Sequence, residues 1–363
     1  FVMILSVFGT NSAVFAATQR LISIITEAVI GDAQELYVVS RAQLRDHWHD
    51  IRSNPDKTFV LLSNAPSADL TDVFVETKLP VLVCHQDAED ILKYLILDCG
   101  FDLATALQNV SNTTVQSAHL TRCSRSLVLD SGRYATSILD LSREIMIFFG
   151  IPAEQQQLEL VKAALGGEQG SRASFLDFIL AQFPKWHSVK SFAGMLSDED
   201  ISLIEHVGQD YNFIGDERSQ STFYWPRRCF LDGDIPGHRL VGSKLLVGPA
   251  RILSYGPYMH LPAGIWHGEM QIELAGCGTD TLALLDVFNG EILGAVSMRW
   301  PRNGSFAIDI SFEVTESHKP LELRLQLLKG AIEGEVLLVG VRLTRAATPR
   351  QIGVRSDSAS LAQ

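Results

Sequence analysis

The sequence predicts an α/β fold, a mostly parallel sheet domain with a helical extension, followed by an antiparallel β-sandwich domain. Three observations predict it. Short apolar strands alternate with amphipathic helices over the first 150 residues, the rhythm of a sheet covered on both faces. Between 155 and 211 only helical periods occur. After about residue 235 the apolar residues recur at every second position, which is the period of half-buried strands.

Taken in order, residues 2–7 form a short apolar strand, and Phe8-Gly9-Thr10-Asn11-Ser12 breaks it. In 13–30 the residues Phe15, Leu21, Ile22, Ile25 and Val29 keep helical spacing, so the chain opens strand, turn, helix. Strands are expected at 36–39, 58–62, 79–84 and 127–129, with a helix at 87–97 whose apolar face is Ile91, Leu92, Leu95 and Ile96. A helix over 134–149 stops at Gly150 and Pro152. Ser197 is positioned to cap a further helix, with Asp198, Glu199 and Asp200 at the end where free N–H groups favour negative charge.

In the second half, Trp266, Met270, Ile272 and Leu274 alternate with His267, Glu269, Gln271 and Glu273. Residues 306–314 and 321–327 alternate likewise, while 281–288, 292–300 and 336–344 read as strands apolar on more of their surface. Asn289-Gly290 and Asn303-Gly304 supply hairpin turns. The expected division is an α/β domain over 1–150, its helical extension over 151–215, a linker over 216–235, the sandwich over 236–345 and a flexible tail over 346–363.

Composition narrows the function classes. With 30 basic against 42 acidic residues the net charge is −12, and no dense basic block exists, so nucleic acid is not an expected partner. Five widely spaced cysteines without a Cys-x-x-Cys pair read as reduced thiols of a cytoplasmic protein. No uninterrupted apolar run of 18 residues occurs, so no transmembrane segment is expected; FVMILSVF reads as a first strand, not a signal peptide.

The first turn is the leading candidate for chemistry. Gly9, Thr10, Asn11 and Ser12 stand between a strand and a helix N-terminus, where backbone N–H groups can seat an anion. Arg122 and Arg125 are the cations expected to approach it, and Asp130-Ser131-Gly132-Arg133 could meet it across the sheet edge. In the second half, Tyr258, His260 and Trp266, bracketed by Pro257 and Pro262, are candidates to line a sugar-binding face. His47 and His49 flank Trp48 but lie two apart, so on a helix they share no face and no metal site is expected. Cys84 and His85 are adjacent on a strand and point to opposite faces, which argues against a nucleophile pair.

Several stretches resemble bacterial sulfotransferases: the opening at 3–30, VLVCHQDAEDILKYLI at 81–96, SILDLSREIMIFFGIP at 137–152 and LSDEDISLIEHVGQDY at 196–211. The resemblance spans about 1–211 and implies transfer of sulfate or another activated group to a saccharide hydroxyl, from an adenosine phosphosulfate-type donor. The chain departs from the family's pattern where the donor is held. Gly9-Thr10-Asn11-Ser12 lacks the family's cation, and with Asp90 aligned, Gln86 stands for Arg, Ala88 for Pro and Tyr94 for Ser. GPYMHLPAGIWHGEMQIELAG at 256–276, LLDVF at 284–288 and LELRLQLLKG at 321–330 are similar to a sandwich module of surface-polysaccharide biosynthesis proteins. Together the two resemblances imply a glycan synthesis or modification protein whose partner is a saccharide or polysaccharide intermediate. The missing cation leaves a non-catalytic carbohydrate-binding or scaffold protein as one alternative, and the same opening leaves a nucleotide-sugar-dependent glycosyltransferase as another.

Overall fold

The computed structural model describes residues 3–187, 195–212 and 222–346; part of the expected linker, 216–221, and the expected tail from 347 onward lie outside the described residues. The first part runs β1 (Met3–Gly9), α1 (Ala13–Val29), β2 (Ala33–Tyr37), α2 (Arg41–Ser53), β3 (Thr58–Ser63), α3 (Ala68–Thr77), β4 (Val81–Cys84), α4 (Ala88–Leu97), α5 (Leu103–Ser117) and β5 (Ser126–Leu129). Helices α6 (Ile138–Phe149), α7 (Gln155–Ala164), α8 (Gly167–Arg172), α9 (Phe175–Gln182) and α10 (Asp198–Asp210) follow.

All five strands are parallel, in the order β2-β3-β1-β4-β5. The alternation of the strands sorts their side chains onto two faces. Leu5, Val7, Val60, Leu62 and Leu82 pack with α1, α4 and α6, whereas Phe8, Phe59, Leu61, Val81 and Val83 pack with α2 and α3. Ser197 caps α10 as its sequence position predicts, accepting from Asp200 N.

Two antiparallel sheets make the sandwich. Its strands are β6 (Thr222–Pro226), β7 (Leu231–Asp232), β8 (Lys244–Leu245), β9 (Arg251–Tyr255), β10 (Pro257–Met259), β11 (Gly264–Ala275), β12 (Leu282–Phe288), β13 (Ile292–Arg299), β14 (Gly304–Val314), β15 (Leu321–Leu327) and β16 (Glu335–Arg345). One sheet has the order β13-β12-β15-β9-β7 with β10 on β15; the other is β14-β11-β16-β6 with β8 on β16. Strand β6 lies within the segment read as a linker. Phe223 and Trp225 are fully buried and register against Leu343 and Val341, so this stretch contributes core side chains to the sandwich. Buried apolar residues continue without a break from α4, α5 and α10 into both sheets.

Candidate functional site

In an open parallel sheet, ligands settle beyond the carboxyl ends of the strands where the order reverses, here between β1 and β4. Gly9 and Cys84 pair in register at that point. An added Cβ on Gly9 would lie 2.0 Å from the Cys84 carbonyl oxygen, so the close approach of the strands requires glycine. The turn is tied to its neighbours. Thr10 N donates to Cys84 O at 3.2 Å, and Ser12 Oγ accepts from Phe15 N at 3.2 Å. Gln86 Oε1, 3.4 Å from Val14 N, accepts there. From α5, Ser117 Oγ donates to Gly9 O at 2.7 Å and Asn109 meets Asn11 at 3.0 Å. Thr10 and Ser12 are fully buried.

The arginines expected over this turn are at the other end of the sheet. Residues Ala118–Arg122 form a 3-10 turn that leads into the start of β5, and Arg125 O accepts from Val81 N where β4 begins. Arg122 pairs with Asp72 at 2.7 Å, and Arg125 donates to Phe148 O at 3.3 Å. The predicted convergence of Arg122 or Arg125 with Gly9, Thr10, Asn11 and Ser12 is therefore corrected. Gln86 and Ser12 engage Val14 N and Phe15 N at the start of α1, and neither Arg122 nor Arg125 reaches the turn to meet a phosphosulfate donor. Arg133 turns to Glu144 at 2.9 Å. Burial pushes the Cys84 thiol up to about 12, which leaves it protonated and unreactive; burial likewise lowers His85.

The sandwich candidates separate. Trp266 is fully buried between the sheets, its Nε1 donating to Pro262 O at 3.0 Å and its ring 5.5 Å from that of Phe223. His260 is buried against α5 and Tyr211, whose hydroxyl donates to His260 O at 2.8 Å. Both are corrected from sugar-facing to core positions: Trp266 alternates in phase with Met270, Ile272 and Leu274, which face inward. Only Tyr258 stays near the surface. Its hydroxyl donates to Glu322 at 3.1 Å, close to Arg324, which donates to Asp286 at 2.6 Å and lies 4.4 Å over the Phe288 ring.

A further concavity escaped the sequence reading. A groove of about 630 Å³ separates α10 from the outer face of β6, β16 and β11. Its floor is Tyr224, Pro226, Leu337 and Val339, and polar groups of Ser202, His206, Arg227 and Glu273 rise around it. Leu337 stands opposite Glu273, and the ladder slips one residue at Gln271/Ile272, leaving Val339 as the extra residue on β16. Both ends of α10 are clamped. Asp200 receives Arg228 at 3.1 Å and Arg239 at 2.8 Å, while Asp210 accepts from Tyr224 N at 2.7 Å and is raised by burial. Between the clamps, His206 meets the Tyr224 ring edge-on at 6.2 Å. The groove thus combines an aromatic face, apolar walls and hydrogen-bonding groups on a rigid frame. The sequence held parts of it without joining them: Asp198 and Glu199 as first-turn acids of a helix, Tyr224 within the segment read as a linker, and Glu273 on the polar side of its strand.

No protein-family model and no curated protein matches the chain. Among solved structures, the chain is similar to a mouse sulfotransferase complexed with PAP, at 8% identity and TM-score 0.34, over 57% of this chain and 82% of that one. It is similar to TmCBM61 in complex with β-1,4-galactotriose at 10% identity and TM-score 0.23, over 36% of this chain and 85% of that one. A family 35 carbohydrate binding module from an environmental isolate gives 15% identity and TM-score 0.22, over 35% and 99%. These likenesses are slight, of the two kinds the sequence resembles, and they decide nothing about what this chain binds. No group of His, Cys, Asp or Glu among the described residues is arranged to hold a metal ion, and no described helix is long and apolar enough to cross a membrane.

Proposed function

We propose that this chain is a saccharide-recognition protein of glycan synthesis or modification, binding its ligand in the groove between α10 and the sandwich. The observation that carries the reading is the groove's composition. Sugars present an apolar C–H face that an aromatic ring can cover and hydroxyls that pair with carboxylates, imidazoles and hydroxyls. Tyr224 supplies the ring, with Glu273, Ser202 and His206 around it. Group transfer from an adenylyl donor is the competing reading, and the turn at Gly9–Ser12, which neither Arg122 nor Arg125 reaches, counts against it. Screening the purified chain against immobilised oligosaccharides, beside a Tyr224→Ala variant, tests the proposal. Retained glycans that the variant fails to hold support it; equal retention by both proteins contradicts it.

A further inference from the structure

Outside the groove, the segment Arg45-Asp46-His47-Trp48-His49-Asp50 has a feature its histidines do not explain. It lies in α2, where Arg41, Leu44, Arg45 and Trp48 fall at i, i+3, i+4 and i+7 and share one face. That face does not close on α3. Between the two helices, over the sheet, is a cavity of about 510 Å³, within the range of small-ligand pockets. Leu44, Leu61, Val73, Phe74 and Leu79 line its interior, and Trp48, 40% exposed, forms one wall.

At the lip stand Arg41 and Arg45. Among the described residues neither guanidinium makes an ion pair or side-chain hydrogen bond, in a chain with net charge −12 and carboxylates in excess. Asp69, on the α3 side of the lip, is engaged by the Ser67 hydroxyl. The lip therefore carries two cations against one anion, above an apolar interior.

We propose that this cavity binds an amphipathic anion, an acyl or aryl carboxylate whose apolar body lies against Trp48 and Phe74 and whose head group meets Arg41 and Arg45. The apolar walls supply affinity by burying the ligand's hydrocarbon. The arginines supply the preference for an anion over a neutral molecule of the same shape, and because they sit at an exposed lip each contributes modestly. The site is separate from the saccharide groove, so either reading can fail without the other.

The test is fluorescence titration of the full chain with 1-anilinonaphthalene-8-sulfonate, displacement of that probe by laurate, and parallel titration with the neutral N-phenyl-1-naphthylamine. The expected result is one saturable site displaced by laurate. Arg41→Gln with Arg45→Gln, both at exposed positions, should weaken the two anions about tenfold and leave the neutral probe nearly unchanged. Val73→Trp, checked for folding by its thermal melt, should block all three, and Tyr224→Ala should alter none. Absence of saturable binding, anion affinity unchanged in the arginine variant, or anion affinity unchanged in a folded Val73→Trp protein would each overturn the proposal.

Discussion

The backbone N–H of His260 donates to Ser111 Oγ at 3.1 Å, seating the turn before β11 on α5. The same hydroxyl lies 3.4 Å from His260 Nδ1, and His260 Nε2 is 3.2 Å from His318 O. A carbonyl can only accept, so Nε2 carries the proton of the neutral ring. Elsewhere on α5, Ser117 holds the carbonyl of Gly9 and Gln108 donates to Pro257 O at 3.3 Å. One helix therefore holds the first turn and docks the sandwich. The Gly-Pro-Tyr-Met segment serves that junction: Pro257 and Met259 face Leu107 and Gln108 of α5 across a space of about 10 Å³.

Burial lowers the His260 ring from 6.5 to about 4. The ring is neutral in the folded protein, while the unfolded chain takes up a proton below pH 6.5, so stability is full above that value and falls between pH 6.5 and 4. The loss from this residue is on the order of 3 kcal/mol at the acid end. Urea denaturation across this range should show a steeper decline for the native protein than for His260→Gln. Parallel curves would refute the assignment.

Gly9→Ala places a methyl group against the Cys84 carbonyl, between two strands that cannot part without losing their ladder. Overpacking against backbone should cost about 3 kcal/mol or more. Chemical denaturation should find a large fall in midpoint. A fall below about 1 kcal/mol would show that the strand pair yields more readily than the geometry implies.

Asp286 is 1% exposed and receives Arg324 at 2.6 Å and Gln326 at 2.7 Å. Asp286→Ala leaves a half-buried guanidinium without its carboxylate and should destabilise the fold by about 2–3 kcal/mol. Replacing both partners by apolar residues, Asp286→Leu with Arg324→Met, should cost less than the single change. The comparison is made by urea melts, and equal or greater loss in the double variant would contradict it.

Much of the architecture was legible because hydrophobic period is a local property: the parallel strands, with β2 starting three residues earlier than expected, and β11–β16 of the sandwich follow from it, whereas the short strands β7–β10 do not. Helix α5 was not legible. Its sequence, LATALQNVSNTTVQS, is rich in β-branched and hydroxylated residues of poor helix propensity, and it is helical because Ser111, Thr113, Thr114, Gln116 and Ser117 are buried between the sheet and the sandwich. Arg122 and Arg125 were misplaced for a different reason, their setting before β5 having been overlooked. Their true place was legible: both residues stand just before β5, and in a parallel sheet the residues before a strand lie at the amino end. Strand β6 was hidden by its polar neighbours and by Pro226, and with it went Tyr224 and the groove.

Calorimetric titration of the native chain and of Tyr224→Ala with neutral oligosaccharides, and with adenosine 3′,5′-bisphosphate, tests the central claim most directly. The account predicts saturable heat with at least one oligosaccharide, weakened about tenfold or more by Tyr224→Ala as the ring contact is lost, and no binding of the bisphosphate. Saturable binding of the bisphosphate by a chain silent towards every oligosaccharide would contradict it.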